Sequence, residues 1–558
     1  METRAVLAAI FAIGVLSAVP AFPEEPGSPG PQPPAVPAPP EAPGTPEAQP
    51  SAAGTTIGDV RIQSENIFDI ADPKEDNWLF RLANRLHIRT RPRVIRRQLL
   101  FRPGDPFDPR LLAESERILR ANGYLYDARI RPGEVHDGRV DVDVRTRDVW
   151  TLQPGVSFQR SGGKNTSGVD LKEKNFLGLG SSLSFASKSN PDRRTASMEF
   201  SDDHLFGTRV RTDVLLASNS DGRQQTFLLQ RPYYALDARW AASGLYDRVE
   251  RVDSLVGVVT VASSFETKKK TIDLSAGWSP GLINGWVWRF FLGAKRDESR
   301  FSPAPATTTT APVPADRDLV YPYAGFELVQ DDYEIARNHD QIHRTEDFFL
   351  GWHVRATAGY AFPSIGSDRH AVPVTASIGK GRQIGERWTL TSTASADGRV
   401  ENGAIRDTRL SGDARIYLRW SEPWLSFATL TGSRFVAPDG DHQLNLGGDL
   451  GLRGYPMRYQ AGDRMFLATI EQRYFSNWYP FRLFRVGGAV FFDVGRAWGG
   501  DVAGLPATNR LRDAGFGLRI GNARSGLANV IHVDVAFPFD GDPSIARAQF
   551  LVTTKNSF

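Results

Sequence analysis

The feature that most constrains the fold is a two-residue alternation of apolar and polar side chains that recurs from residue 150 to the C-terminus. Residues 271–278 and 531–537 alternate cleanly, and residues 348–360 do so over a longer span. Such segments are typical of strands that cross a bilayer, which need about ten residues each. Beyond the N-terminus, no run has the roughly 18 uncharged apolar residues of a membrane-spanning helix. The pattern leaves an exported soluble β-protein or a membrane β-barrel.

A soluble sandwich would also alternate, but three observations favour an antiparallel transmembrane barrel. The strands are long, and their polar face carries Gly, Arg and Asp, as a water-filled lumen allows. Aromatic residues such as Trp278, Trp352 and Tyr360 lie on or near the ends of apolar faces, where interfacial girdles form. Tight turns alternate with longer loops such as residues 304–315. The pattern gives up to about 20 segments, closed on themselves because an open edge is costly in lipid.

The N-terminus has the pattern of a secretory signal peptide over residues 1–21. Arg4 is the charged start, residues 5–16 are a short apolar run, and small residues precede a cleavage point at Ala21. An anchoring helix is the alternative, but the run is short and Pro20 breaks it. Residues 22–55 are dominated by Pro, Ala, Gly and Glu, which predicts a disordered spacer.

Residues 56–149 have a mixed pattern that predicts a small α+β domain. The order is strand, helix, helix, strand, strand. Asp108 can cap the second helix, and Gly123 follows its end. The segments are residues 60–62, 94–100, 111–119, 124–130 and 140–149.

Two acidic residues near the C-terminus, Glu471 and Asp493, lie on successive strands joined by a turn near residues 480–482. Because 482 is their midpoint, they are predicted to face each other nearly directly on the lumen side. Two carboxylates repel, so a cation should lie between them, and the guanidinium fork suits two carboxylates best. The candidate is Arg453, provided that its loop folds back into the barrel. The alternative is two unrelated lumen charges.

Several motifs resemble the BamA/TamA superfamily of outer-membrane assembly and translocation barrels. Residues 452–455 (Leu-Arg-Gly-Tyr) resemble its arginine–glycine–aromatic loop motif, although Leu stands where Val is commoner. Residues 491–495 resemble its aspartate strand motif, and residues 175–180 the turn after its second strand. The domain of residues 56–149 is similar to a single POTRA domain, where the best-known members have several. Terminal Phe558 matches the aromatic end of the last strand, which the barrel assembly machinery reads.

This resemblance implies a barrel of 16 strands over residues 150–558, with a lock inside the lumen. Arg453 would bind Glu471 and Asp493. The remaining residues of the two motifs are Gly454, Tyr455 and Gly495.

The resemblance also implies a function in the bacterial outer membrane, with the N-terminal domain in the periplasm. The POTRA domain would capture extended client polypeptides by strand addition, and the barrel would insert or translocate them. The passage would be a weak seam between the first strand, near Trp150, and the last, whose polar residues 553–556 either weaken pairing or mark a strand end. Partners would be outer-membrane lipid, unfolded clients, and periplasmic or inner-membrane proteins. The alternatives are a pore or lipid-handling barrel and, third, an adhesin, for which residues 304–315 are too simple.

Composition argues against other chemistry. The net charge is +3, and the 23% of charged residues mix both signs, so no basic face for nucleic acid is indicated. The absence of cysteine removes disulfides, thiolate catalysis and cysteine-bound metals. His339 and His343 are four residues apart without an HExxH motif, which favours a polar turn over a metal site. We therefore expect neither an enzyme nor a cofactor.

Overall fold

The computed structural model describes residues 54–256, 261–304, 313–500, 510–524, 530–540, 543 and 545–555. The predicted signal peptide, nearly all of the predicted spacer, the middle of loop 304–315 and Phe558 lie outside these residues. No helix in the described ranges is long and apolar enough to cross a membrane.

The N-terminal domain has a three-stranded sheet on which its second and third helices pack, while its first helix packs in a separate apolar cluster. Its elements are β1 Thr56–Glu65, α1 Trp78–Leu86, α2 Pro92–Gln98, α3 Pro109–Arg120, β2 Leu125–His136 and β3 Arg139–Asp148. The sheet order is β1-β3-β2, with β1 parallel and β2 antiparallel to β3. Asp108 caps α3 by accepting the Arg110 N–H at 2.8 Å, and the apolar face of α3 packs on the sheet through Leu112 and Leu119. The predicted order lacked one helix, α1, which Asn77 caps.

The remaining described chain is almost entirely strand, and twenty of these strands form one closed antiparallel barrel. Two further pairs of strands, within residues 333–349 and 444–462, form separate hairpins. The strands are β4 Leu152–Ser161, β5 Lys164–Glu173, β6 Ser182–Ser189, β7 Arg194–Asp202, β8 Arg211–Asn219, β9 Gly222–Arg231, β10 Trp240–Val256, β11 Val261–Ile283, β12 Trp286–Pro303, β13 Arg317–Gln330, β14 Tyr333–Arg337, β15 Thr345–Phe349, β16 His353–Gly359, β17 Val372–Ile384, β18 Trp388–Glu401, β19 Ala404–Ser421, β20 Trp424–Val436, β21 Leu444–Leu446, β22 Gln460–Gly462, β23 Arg464–Phe475, β24 Phe484–Trp498, β25 Leu511–Asn522, β26 Val530–Pro538 and β27 Gln549–Lys555.

The barrel confirms the strand number of about 20 that the alternation gave, and the 16 strands implied by the resemblance are wrong. The single strand predicted over residues 348–360 is also wrong. The backbone N–H groups of Leu350 and Gly351 donate to the Asp332 carbonyl at 2.8 and 3.1 Å instead of joining the wall. The chain therefore breaks there into β15, which leaves the wall, and β16, which belongs to it.

The alternation separates a lipid-facing surface from a polar lumen, as the sequence predicted. On β23, the Ile470 side chain is 60% exposed, while neighbouring Glu471 is 5% exposed. Exposed apolar residues continue round the outside; examples are Leu274, Trp278, Leu292, Val490 and Phe516. A continuous outer belt of this kind suits hydrocarbon, and closure pairs the backbone groups that lipid could not satisfy.

The barrel closes through a weak seam between its first and last strands. Within the described residues, β27 and β4 have one registered pair, Val552↔Arg160. By contrast, β26 and β27 stay in register from Val530↔Lys555 to Ala536↔Gln549. In the part of β27 that the structure describes, few ladder hydrogen bonds therefore hold this junction.

The N-terminal domain docks on one end of the barrel, here called the domain end; the opposite end is the loop end. Helix α3 supplies three arginines to carboxylates of the barrel turns and of β15. Arg120 binds Asp347 with two hydrogen bonds of 2.8 and 2.6 Å. The other pairs are Arg110–Asp237 at 2.6 Å and Arg117–Asp331 at 3.3 Å.

Candidate functional site

A long loop between β20 and β23, residues 437–463, folds back into the barrel from the loop end. The β21–β22 ladder forms its neck, and the Gln460 side chain accepts the Ala497 N–H of β24 at 2.9 Å. The loop is held inside by an apolar cluster of Leu446, Leu452, Tyr455, Ala497 and Leu511. This inward course is what the predicted position of Arg453 required.

The structure brings Arg453 together with Glu471 and Asp493. Its Nε and Nη2 donate to the two Asp493 oxygens at 2.7 and 2.8 Å, and Nη1 donates to Glu471 at 2.9 Å. The guanidinium also lies over the Phe491 ring, 3.3 Å from its centroid. Because the three charged residues are at most 5% exposed, these bonds form with little competition from water.

The two acids are diagonal neighbours, so the predicted direct pairing is wrong by two residues. Asp493 lies opposite Thr469, and Glu471 lies opposite Phe491. Thr469 donates its hydroxyl to Asp493 at 2.7 Å. Both acids still share the lumen face, because two residues return a strand to the same side. Because of this offset, one guanidinium group can donate two hydrogen bonds to Asp493 and one to Glu471.

The other motif residues allow close approach of the loop to the wall. A Cβ on Gly454 would lie 2.7 Å from the Asp513 Cβ, and one on Gly495 would lie 2.9 Å from the Leu446 side chain. The Tyr455 hydroxyl donates to the Arg512 carbonyl at 2.7 Å. Glycine at these two positions therefore lets the loop press against β24 and β25.

The same loop bridges the two sides of the seam. On one side it binds β24 and β25 through Arg453 and Tyr455. On the other side, the Gly162 carbonyl in the β4–β5 turn accepts the Met457 N–H at 3.0 Å. Arg458 adds two hydrogen bonds to Asp192, between β6 and β7, at 3.0 and 2.6 Å. The loop of residues 437–463 therefore holds together the two sides of the β27–β4 junction at the loop end, where the strands themselves pair weakly.

A second set of buried charges surrounds the first, and sequence reasoning missed it. Arg473 donates to Glu471 at 3.0 Å, and Arg519 donates to Asp534 at 2.5 Å. All four side chains are at most 6% exposed. Arg473 follows Glu471 by two residues, so the alternation already placed it on the lumen face.

The β14–β15 hairpin, also missed, enters the lumen from the domain end. Its Asp340 accepts the hydroxyl of Tyr417 on the wall at 3.1 Å, and His339 packs edge-on against the Tyr417 ring. The His339 carbonyl accepts a hydrogen bond from Arg473 at 2.8 Å. Arg473 thus joins the hairpin to Glu471, which Arg453 holds from the other end. The predicted polar turn at His339 and His343 is the tip of this hairpin.

No group of three or more His, Asp or Glu side chains in the described ranges is arranged to hold a metal ion. Among the described residues, the site is a network of ion pairs and hydrogen bonds. This network holds the loop of residues 437–463 and the β14–β15 hairpin against the barrel wall.

Fold and site together define a transmembrane β-barrel with a docked N-terminal domain and an inward arginine loop. Residues 87–147 of that domain match the POTRA family model, described as surface antigen variable number repeat. A POTRA domain ahead of a β-barrel is the arrangement that the BamA/TamA resemblance implied, and this part of the prediction is confirmed.

Solved structures of other barrels resemble the chain at low identity. BamA from Haemophilus ducreyi lacking POTRA domains 1–3 is 14% identical over 89% of this chain and 85% of its own, with a TM-score of 0.39. CdiB from Escherichia coli is 12% identical over 89% and 76%, with a TM-score of 0.45. The copper transporter OprC is 10% identical over 89% and 88%, with a TM-score of 0.36. Likenesses at this distance carry no information on function. A search of curated proteins finds no match.

Proposed function

We propose that this protein is a non-enzymatic outer-membrane factor of the BamA/TamA type that inserts or translocates client polypeptides. Its POTRA domain lies in the periplasm and captures extended clients by strand addition. The client then leaves through the β27–β4 seam. The observation that supports this most is the seam itself, which has one registered pair among the described residues and is bridged by a loop that Arg453 holds inside the barrel.

The ion-pair network is proposed to act as the lock of that seam. A buried ion pair is poor evidence for stability, but it fixes one arrangement of the segments that it joins. Releasing the loop would remove the contacts at Gly162 and Asp192 and leave the weak ladder alone. The open and locked states would then differ in this one segment.

The alternative, a pore or lipid-handling barrel, is less favoured because segments enter the lumen from both ends. The loop of residues 437–463 and the β14–β15 hairpin meet at Arg473. A permanently open channel would have no use for such contacts. Planar-bilayer conductance with a simple solute preference, together with no client crosslinks, would favour the alternative.

A seam crosslink tests the proposal directly. The chain has no cysteine, and residues opposite in a ladder have Cα atoms about 4.5–5.5 Å apart, within disulfide range. R160C with V552C should close the seam and stop client insertion, with activity restored by reductant. The matched control is L216C with Q225C across β8 and β9. Equal activity of both oxidised variants would refute passage through the seam.

Client capture is tested by photo-crosslinking. The sheet order leaves β1 and β2 at the edges, so the probe is placed at exposed Gln63 or Arg131. The control position is Asp137, at the tip between β2 and β3. We expect outer-membrane clients to be captured from an edge strand and not from the tip. Depletion should also change the outer-membrane and secreted proteomes.

A further inference from the structure

Three turns at the domain end share an unusual geometry. They are short 3-10 turns between β5 and β6, β7 and β8, and β23 and β24. The middle residue of each is bulky and apolar and has a left-handed backbone: Leu177 at φ +54°, Phe206 at +51° and Phe481 at +54°. These side chains are 48%, 94% and 72% exposed. A left-handed bulky residue is strained, and exposing it to water is also unfavourable.

Three other turns at this end have polar residues at their centres. The β11–β12 turn has Asn284 and Gly285 at positive φ, which are the residue types that such a turn normally selects. The turns after β17 and β19 carry Glu386 and Glu422 at their centres. The apolar left-handed tip is therefore not repeated at these three turns. In the strand order the apolar tips lie on the two sides of the β27–β4 seam.

Helix α1 of the POTRA domain lies between these tips. Before it, the Ile67 carbonyl accepts a hydrogen bond from Arg524, between β25 and β26, at 2.9 Å. After it, Arg91 donates its N–H to Gly178 in the β5–β6 turn at 3.1 Å. The chain of α1 thus crosses from one side of the seam to the other.

The face of α1 turned away from its domain is aromatic and basic. Phe80 packs inward, stacked on Phe68 at 3.8 Å. Trp78 and Leu86 are 71% and 53% exposed, and Ile88 beyond the helix is 53% exposed. Among the described residues, no ion pair involves the exposed Arg85 or Arg89 at the same helix end. Aromatic, aliphatic and basic residues together are typical of helices in a membrane interface.

We propose that these residues form a lipid-contacting rim that seats the seam side of the barrel in the membrane leaflet at the domain end. The rim consists of Trp78, Leu86, Ile88, Leu177, Phe206 and Phe481. At the domain end, the rim extends the lipid-facing belt of the adjoining strands beyond the last residues of those strands. Contact with lipid removes the apolar side chains from water, and Arg85 and Arg89 bind anionic headgroups.

The test uses the full chain in vesicles of phosphatidylcholine and phosphatidylglycerol in equal parts. Because there is no native cysteine, F206C and the control E386C each carry one fluorescent label. Brominated phospholipid should quench the fluorescence of the label at 206 strongly, and aqueous iodide should quench it weakly. For the label at 386 we expect weak quenching by the lipid and strong quenching by iodide. L177C serves if F206C fails to fold. Equal quenching at the rim and at 386, or protection from both quenchers as in a protein contact, would overturn the proposal.

The headgroup part has its own readout. With a label at W78C, lipid quenching should be stronger in the mixed vesicles than in pure phosphatidylcholine. R85E with R89E should abolish that difference. R81Q is the matched control on the same helix, because Arg81 already pairs with Asp76 at 2.6 Å. Quenching independent of lipid charge, or equal loss in R81Q, would refute the role of these arginines.

Discussion

Replacing Arg453 by leucine should lower the free energy of unfolding by about 3–5 kcal/mol, the usual cost of leaving a buried charge without its partner. Hydrogen bonds of 2.7, 2.8 and 2.9 Å to Asp493 and Glu471 are lost. Glu471 keeps Arg473 at 3.0 Å, so the deficit falls mainly on Asp493. That carboxylate is fully buried and lies opposite Asp513 in the ladder, so water cannot replace the lost cation.

In the assay, samples are heated stepwise and then run on a denaturing gel without further heating, which gives the temperature at which the band of the folded barrel is lost. The second readout is protease cleavage of the loop of residues 437–463. R453L should unfold at a lower temperature and expose the loop. Adding D493L removes the uncompensated charge and should recover most of the loss. R512Q is the control, because Arg512 pairs with Asp540 at the solvent-exposed loop end of the barrel. If R453L behaves like R512Q and its loop stays protected, the reasoning is wrong.

Three further variants test neighbouring contacts. G454A should expose the loop to protease, because its Cβ would lie 2.7 Å from that of Asp513. Replacing the hairpin tip, residues 338–344, by a Gly-Ser linker should raise single-channel conductance, because the tip packs in the lumen. R120Q should make the junction between POTRA domain and barrel more sensitive to protease without changing the unfolding temperature of the barrel, because two hydrogen bonds to Asp347 are lost.

Each of these variants has a result that would count against it. G412A is the control for G454A, because an added methyl there meets nothing nearer than 3.8 Å. Equal protease patterns for the two would mean that the loop does not depend on close approach. Unchanged conductance would show that the hairpin tip does not close the lumen. R129Q, at a more exposed pair with Asp127, is the control for R120Q, and equal protease sensitivity of the two would mean that the bonds to Asp347 do not hold the junction.

The barrel could be predicted because lipid on one side and water on the other impose a strict two-residue period. Helix α3 was predictable for a similar local reason: Asp108 caps it and its leucines recur at helical spacing. The β14–β15 hairpin was not, because the alternation of residues 348–360 runs from the end of β15 into β16 as it would in one wall strand. Whether such a strand joins the wall depends on the partner it finds, which no local pattern encodes.

The register of the acidic hairpin shows the limit at the site. The sequence predicted that the β23–β24 hairpin is centred on residue 482. The observed pairs, such as Thr469↔Asp493, centre it on Phe481 instead. Phe481 and Arg482 both adopt left-handed backbone conformations. A two-residue shift follows, which keeps both acids on the lumen face. The partner identity of Arg453 could be expected from charge and motif, whereas the bonds of Arg458 to Asp192 join segments too distant in sequence to foresee.

The strand number has a consequence for how such a cylinder is sealed. Going from 16 to 20 strands widens a barrel by about a quarter and its cross-section by about half, because diameter grows roughly linearly with strand number. One inward loop then covers a smaller share of the opening, and here a hairpin from the opposite end covers part of the rest. Closure is divided between two inward segments that enter from opposite ends of the barrel. Because Arg473 links the hairpin to Glu471, and Arg453 links the loop to the same carboxylate, withdrawal of one segment would disturb the contacts that hold the other.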